Sequence, residues 1–360
     1  MTGTTPPIRW AIVGTGPVSH QFATALKRVP GAVRQAVYSR DGAQAHAFAK
    51  RHGFARAAQV GDGMFAAVSD VDVFYIATPT ATHRALCLAA IAAGKHVLCE
   101  KPMTATADEL LEVTEAARAK GVFAMEGMWL RFNPVVQQTH DALAQGKRGQ
   151  LGQLLGAHMH VGYAEQAVDQ PVRDGLARDA LSVFGCYGFS LAHHLFGVPQ
   201  AIRASGQCDA KGAVLHANVA LAYPTFEFNM TTSVVATLSN TLELVGSQGR
   251  WLLPNPVLDP YTSRWLPHSQ GGAAGKVTAR LQAVAHALRE QVAFLHPLRG
   301  SGFRVEIEQV NASLRSQQTE HPTNPLAATL LSHRMQASAR LALLSKKWVP
   351  FAQVGVDASR

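Results

Sequence analysis

From Ile8 to Met125, short β-rich apolar runs alternate with helix-length stretches, and this rhythm restricts the fold more than any other feature of the chain. IRWAIVG, AVRQAVYS, VDVFYIATP, KHVLCEKP and GVFAME read as strands. PVSHQFATALKRV, DGAQAHAFAKRHG, TATHRALCLAAIAAG and ATADELLEVTEAARAKG read as the helices between them. Apolar runs that do not alternate with polar residues belong to strands covered on both faces, and intervening helices imply parallel crossovers. The expectation is an α/β chain that opens with a doubly wound parallel sheet.

After Glu126 the rhythm changes. RFNPVVQQTHDALAQG predicts a helix, QLLGAHMHVGYA a strand, and DALSVFGCYGFSLAHHLFG a long helix stopped by Gly197 and Pro199. AIRASGQCDA, AVLHANVALAY, TFEFNMTTSVVATLS, NTLELVGS and RWLLP follow with short turns, which predicts a large, mostly antiparallel open sheet in an α+β half. Thr262 to Gly275 reads as a loop. KVTARLQAVAHALREQVAFL reads as a helix with Val277, Leu281, Val284, Leu288, Val292 and Leu295 on one face. EIEQVNASLRSQQ and NPLAATLLSHRMQASARLALLSKK read as two closing helices. At 360 residues the chain exceeds one ordinary core, so the expected division is 1–126, 127–345 and a tail, 346–360.

The bulk numbers exclude several classes. A 47% apolar share with 16% charged residues describes a chain that buries large cores rather than a disordered one. The first ten residues lack a basic segment followed by a long apolar one, and no apolar run approaches the ~18 residues of a membrane span. A cytoplasmic protein is expected. Cys87, Cys99, Cys186 and Cys208 form no CxxC pair and read as small buried thiols, with no zinc or disulfide role. The formal charge of +9 comes without Lys/Arg-rich blocks, so it points to an anionic small molecule or to solubility rather than to nucleic acid. His158 and His160 share one strand face but lack an evident third ligand, so no metal is expected.

GTGPVSH follows the first strand and opens the first helix. Gly14 suits the tight turn, Gly16 lets the backbone approach a pyrophosphate, and the helix N-terminus offers donors and positive dipole charge. Ser19 stands where the third glycine of the fingerprint is usual, and Thr15 lies within the loop. The pattern predicts a Rossmann-type dinucleotide site. The second strand ends in Ser39 and Arg40 instead of the Asp or Glu of an NAD site, which favours the 2′-phosphate of NADP(H). Asp41 leaves lesser use of NAD(H) open.

GTGPVS, SRD, ATPTATH, AGKHVLCEKP, EGMWLRFNP and GCY, in this order, resemble the glucose-fructose oxidoreductase/inositol dehydrogenase (Gfo/Idh/MocA) family, nearest its NADP-dependent dihydrodiol and D-xylose dehydrogenase branch. The resemblance implies that Lys101 of the EKP motif binds the substrate oxygen and assists proton transfer, with Glu100 positioning it, that both residues contact the cofactor, and that Glu100 also contacts the substrate. It implies that Thr78 and Pro79 pack against the cofactor, and that Tyr187 matches the branch's tyrosine. Val183 stands where the family has an aspartate, and ARDA replaces a glycine-rich turn. Trp129, Arg131 and Asn133 fall where the branch builds a wall of its substrate pocket, Arg131 also reading as a structural clamp. His83 reads as first-turn packing or helix surface.

The reading that follows is an NADP-dependent oxidoreductase. It moves hydride between nicotinamide and a secondary alcohol or carbonyl of a sugar, cyclitol or vicinal diol, with Lys101 and Tyr187 as an acid/base pair. Two alternatives stay open: a non-catalytic NADP-binding sensor of the same fold, and an NADPH-dependent reductase of a conjugated or imine-type substrate. By analogy with the family, a homodimer or higher homo-oligomer forms through the second sheet.

Overall fold

Parallel pairing joins Ile8–Val13 (β1), Ala32–Ser39 (β2), Arg56–Gln59 (β3), Val73–Ile76 (β4), His96–Glu100 (β5) and Ala124–Gly127 (β6) into a sheet of order β3-β2-β1-β4-β5-β6. This computed structural model describes residues 6–144, 151–164, 179–268, 291–295 and 302–351. The chain forms two compact units, Met1–Phe132 with Arg299–Arg334, and Asn133–Leu298 with Met335–Arg360.

The first unit is doubly wound for a reason visible in β1. Trp10 and Ile12 point to one face and Ala11 and Val13 to the other, and all four are fully buried. On the first face they meet Phe22 and Leu26 of Pro17–Leu26 (α1), Phe48 of Gly42–His52 (α2), and Phe303, Ile307 and Val310 of Gly302–Arg315 (α7). The second face meets Cys87 and Ile91 of His83–Ala92 (α3), Leu110 and Val113 of Ala107–Lys120 (α4), and Leu326 and Leu330 of Leu326–Ser345 (α8). Fully burying each of the larger side chains contributes ~1.5–3 kcal/mol. Local signals set the helix ends: Asp41 accepts the Ala43 and Gln44 N–H groups at the start of α2, and Gly53 closes it in the left-handed region at φ 71°. Thr106 caps α4 through the Glu109 N–H, while the Glu109 carboxylate reaches back to the Ala105 N–H.

In the second unit, Leu154–Gly162 (β7), Ala201–Cys208 (β8), Val214–Ala222 (β9), Glu227–Ser233 (β10), Thr241–Gly246 (β11), Gly249–Leu253 (β12), Thr262–Pro267 (β13), Gln291–Leu295 (β14) and Val349–Pro350 (β15) form one sheet. Among the described residues it has nine strands, in the order β14-β13-β12-β11-β7-β10-β9-β8-β15. Every pairing is antiparallel except β7 with β10, where Ala157 lies opposite Phe228. Pro134–Ala144 (α5) and Cys186–Phe196 (α6) belong to this unit.

Four expectations need correcting. β3 was not expected, because RAAQ is a four-residue edge strand with almost no apolar content. Thr262–Pro267 is β13 rather than loop, paired antiparallel with β12 and β14 and burying Ser263 and Leu266. Val292 and Leu295, expected on a helix face, lie in β14, and 276–290 of that expected helix lies outside the described residues. The first unit extends to Phe132 and takes back 299–334, because the apolar face of α7 packs into the Rossmann core. Among the described residues no helix is long and apolar enough to cross a membrane.

Candidate active site

The carboxyl ends of β1, β2, β4 and β5 carry Gly14–Gly16, Ser39–Arg40, Thr78–Pro79 and Glu100–Lys101. In an open parallel sheet this edge is where ligands bind. Gly14 has φ +105°, and an added Cβ would collide with the Ala77 carbonyl, so only glycine passes there. Gly16 caps α1 with no side-chain hydrogen bond, and a Cβ added to it meets nothing within 4 Å. The backbone donors of the first helical turn therefore open onto space a pyrophosphate can fill, and the loop fits a dinucleotide. Ser19 does not reach that space: it is fully buried, and its Oγ has no hydrogen-bond partner among the described residues. It takes the close helix-to-sheet packing place of the third fingerprint glycine.

At the end of β2, Ser39 Oγ lies 3.3 Å from Thr15 Oγ1, linking the ribose strand to the phosphate loop. Arg40 is exposed, and its guanidinium has no ion pair among the described residues. The Asp41 carboxylate is occupied as the cap of α2, accepting from Ala43 N at 2.8 Å. The acid that the sequence left available for ribose hydroxyls is thus already bonded.

Lys101 is half-buried in a segment held at three consecutive residues. The Lys101 N–H donates to Glu100 Oε2 at 3.1 Å, the Pro102 carbonyl lies 3.0 Å from His83 Nδ1, and the Met103 N–H donates to Glu126 Oε1 at 3.0 Å. Glu100 is itself fixed, its Oε1 accepting the Tyr75 hydroxyl at 2.5 Å. These hydrogen bonds make Glu100 a support for the lysine backbone, in line with the positioning role expected of it. Burial raises its pKa, against the Tyr75 hydrogen bond and the nearby Lys101 charge. Tyr75 is fully buried, stacks on Phe22 at 3.6 Å, and is held neutral by burial and by Glu100.

Behind this segment lie further buried ionisable groups of the first unit. Glu306, on α7, is fully buried, with no hydrogen-bond partner for either carboxylate oxygen among the described residues. Burial raises its pKa well above 4.5, and the nearby Glu100 and Glu126 add to the rise. Arg131 is 2% exposed and donates to the Thr323 carbonyl at 3.1 Å. Burial pulls its pKa down to about 10, with Glu126 opposing. Its expected place on the substrate wall is corrected to an interior clamp of the first unit. Trp129 packs edge-on against Phe303 at 4.2 Å and remains half-buried.

In the second unit Tyr187 stands in the first turn of α6 and is 5% exposed. The preceding residues Leu181–Gly185 form a π-helical turn, a local widening common at functional sites. The buried Asp179 sets this turn: Oδ1 accepts the Ser182 N–H at 3.0 Å, Oδ2 accepts the Val214 N–H at 2.9 Å, and Arg340 pairs with it at 2.6 Å. Asp179 therefore does not stand in for the carboxylate lacking at Val183. Val183 and Phe184 are half-buried, and Phe184 contacts Tyr163 at 5.6 Å between ring centroids. An added Cβ on Gly188 would collide with Met230, so this helix lies tight on β10. Asn133 is 4% exposed and consumed structurally: Oδ1 caps α5 through the Val135 N–H at 2.9 Å, and Nδ2 donates to Asp259 and the Pro260 carbonyl. It too is corrected from substrate wall to scaffold.

Sequence reasoning missed Tyr75, Glu306 and the buried bonds of His83. Tyr75 and Glu306 carry signals of their own, a tyrosine inside an apolar strand and a glutamate on the apolar face of a helix. Cys87, Cys99 and Cys186 are buried as expected, whereas Cys208 is exposed. His158 and His160 are exposed, and His160 Nδ1 lies 3.0 Å from Ser239 Oγ.

Comparison with known proteins agrees with this edge being a dinucleotide site. Residues 8–128 match an oxidoreductase family with an NAD-binding Rossmann fold, and residues 136–252 match the GFO/IDH/MocA C-terminal domain. The chain is 35% identical over 258 residues to trans-1,2-dihydrobenzene-1,2-diol dehydrogenase of Bos taurus, a match covering 70% of this chain and 76% of that protein. It is 30% identical over 341 residues to the Mus musculus protein of the same name, covering 93% and 97%. A structure of levoglucosan dehydrogenase in complex with NADH and L-sorbose has the same fold, with a TM-score of 0.80 at 16% identity over 97% of this chain and all (100%) of that one. The chain belongs to the GFO/IDH/MocA family of NAD(P)-binding oxidoreductases.

Proposed function

We propose that this oxidoreductase prefers NADP(H) and interconverts a secondary alcohol and its carbonyl, with a vicinal diol on an apolar ring as the substrate class. The observation that carries the reading is Lys101 at the carboxyl end of β5, its segment held by the side chains of Glu100, His83 and Glu126 at three successive residues. Pre-organisation of this kind serves a group that must meet a reacting atom. The nicotinamide ring supplies the hydride exchange when bound. Lys101 hydrogen-bonds the reacting oxygen, and Tyr187 gives or takes its proton. Gly14, Thr15 and Gly16 hold the pyrophosphate, and Thr78 and Pro79 border the cofactor. Val183, Phe184 and Tyr163 offer an apolar flank near Tyr187 that suits a ring better than a polyol. The dihydrodiol dehydrogenases among the relatives favour the same class. The reading also has the protein in the cytoplasm as a homodimer through the open face of the second sheet.

A panel of cyclic vicinal diols, aldoses and the matching ketones, followed by NADPH absorbance, tests the reading. Turnover of a ring diol or its ketone is expected to exceed that of any aldose. The second reading, a cofactor-binding sensor, is favoured by Val183 in place of a carboxylate; tight NADPH binding with no turnover of any substrate would establish it.

The cofactor preference has its own test. Arg40→Ala removes an exposed cation that has no ion pair among the described residues, and hydrogen bonds to charged groups are worth ~1.5–3 kcal/mol. The KM for NADP is expected to rise ~10–100-fold with that for NAD changing less than ~twofold. Equal changes for both would remove the 2′-phosphate assignment.

A further inference from the structure

His83 is a buried titratable group that the proposed chemistry does not use. It opens α3 and is 1% exposed. Its Nε2 lies 2.7 Å from the Thr78 carbonyl oxygen and its Nδ1 lies 3.0 Å from the Pro102 carbonyl oxygen. Those two carbonyls belong to different loops, one following β4 and the other following β5. Thr78 sits beside the phosphate loop, since a Cβ added at Gly14 would come within 3.3 Å of its Cγ2. Pro102 directly follows Lys101. One imidazole thus spans from the loop that borders the cofactor to the loop that carries the lysine.

We infer that His83 is a positioning residue, which sets the placement of Lys101 relative to the cofactor by tying the Thr78 and Pro102 carbonyls together. The inference rests on the reading of Lys101 as the residue that meets the substrate oxygen. The other anchors of this segment hold N–H groups: Glu100 takes that of Lys101 and Glu126 that of Met103. His83 holds the carbonyl between them, and among these anchors it alone reaches the β4 loop. Its surroundings support a role beyond filling space. A neutral ring carries one N–H, so both carbonyls receive a donor only when the ring is protonated. Burial lowers its pKa below the ordinary histidine value, with the two carbonyls and the Glu126 carboxylate opposing that shift. The Arg84–Glu112 pair lies outside, on the exposed sides of α3 and α4.

His83→Leu keeps the bulk and removes both bonds. A small displacement of a catalytic group costs up to ~100-fold in rate. In His83→Leu, kcat is expected to fall at least ~10-fold, the NADPH Kd to stay within ~threefold, and the pH limb of kcat that Lys101→Arg moves to shift as well. His83→Gln, whose amide keeps an N–H donor, is expected to recover most of the rate. A kcat within ~twofold of wild type with an unshifted limb would overturn the inference. So would a loss matched by fewer NADPH-binding sites per chain, which is what mere misfolding predicts. If His83→Leu is insoluble, the pH limb of His83→Gln decides: an unshifted limb at reduced rate overturns the inference, and a shifted limb supports it. Lys101→Met separates the two levels. Should it keep wild-type turnover, the reading of the lysine fails; should it be inactive while His83→Leu is unaffected, only the positioning role fails.

Discussion

Lys101→Met is expected to lower kcat by ~1000-fold or more while NADPH still binds with an affinity close to wild type. Methionine keeps the length and apolar stem of the side chain and removes the ammonium, so the substrate oxygen loses its donor without a cavity being opened. General acid–base groups contribute ~10²–10⁴-fold, and a lost hydrogen bond at the developing charge adds to that. The binding arm separates the cases, because the phosphate loop, Ser39 and Arg40 are independent of residue 101. Single-turnover kinetics with saturating NADPH, alongside a fluorescence titration of cofactor binding, measure both quantities. Turnover within ~10-fold of wild type would take the lysine out of the chemistry.

Glu306→Gln is expected to make the protein more stable at alkaline pH and to leave it unchanged near pH 4. Glu306 is fully buried, and neither carboxyl oxygen has a partner among the described residues, so the folded state holds it protonated. Its folded pKa lies well above the ordinary 4.5. Below that ordinary value both states carry the proton, and the group's contribution is fully present. As pH rises toward the folded pKa the unfolded chain releases its proton first, and stability drains away at ~1.4 kcal/mol per pH unit. Glutamine has nearly the same shape and no proton to lose. For a unit of this size ~1 kcal/mol moves the melting midpoint by ~2–4 °C. A gain of at least ~3 °C at pH 8 is therefore expected, shrinking to nothing at pH 4. Parallel Tm–pH curves for the two proteins would mean that the carboxyl is ionised and solvated.

The parallel sheet was legible because burial on both faces leaves a strong mark: IRWAIV and VFYI carry apolar side chains on either side, and glycines mark the turns. β3 was not legible because an edge strand of four residues buries almost nothing. EIEQVNASLR announced a helix, but helical periodicity states that a face is buried and not which core buries it. Its return to the first unit is tertiary information. Among site residues, the glycines of the first loop were readable from local chemistry, since the turn needs them, whereas Lys101 was singled out by the resemblance of its EKP motif. Arg131 and Asn133 failed for the opposite reason. A polar side chain near a pocket motif and one that caps α5 or clamps a loop look identical until their partners, distant in sequence, are known.

Because α7 supplies Phe303, Ile307 and Val310 to the core beneath β1 and β4, the cofactor unit is not finished when residue 132 leaves the ribosome. The nascent N-terminal part must wait, with the places of α7 and of the start of α8 on its sheet still unfilled, for the synthesis of about 170 further residues before the first of these two helices begins. At ~5–20 residues per second that interval is on the order of ten seconds or more, long enough for chaperone capture to matter. A fragment ended near residue 130 would leave the places of α7 and α8 on its sheet bare permanently, so the dinucleotide half of this protein is a poor candidate for excision as a stand-alone module.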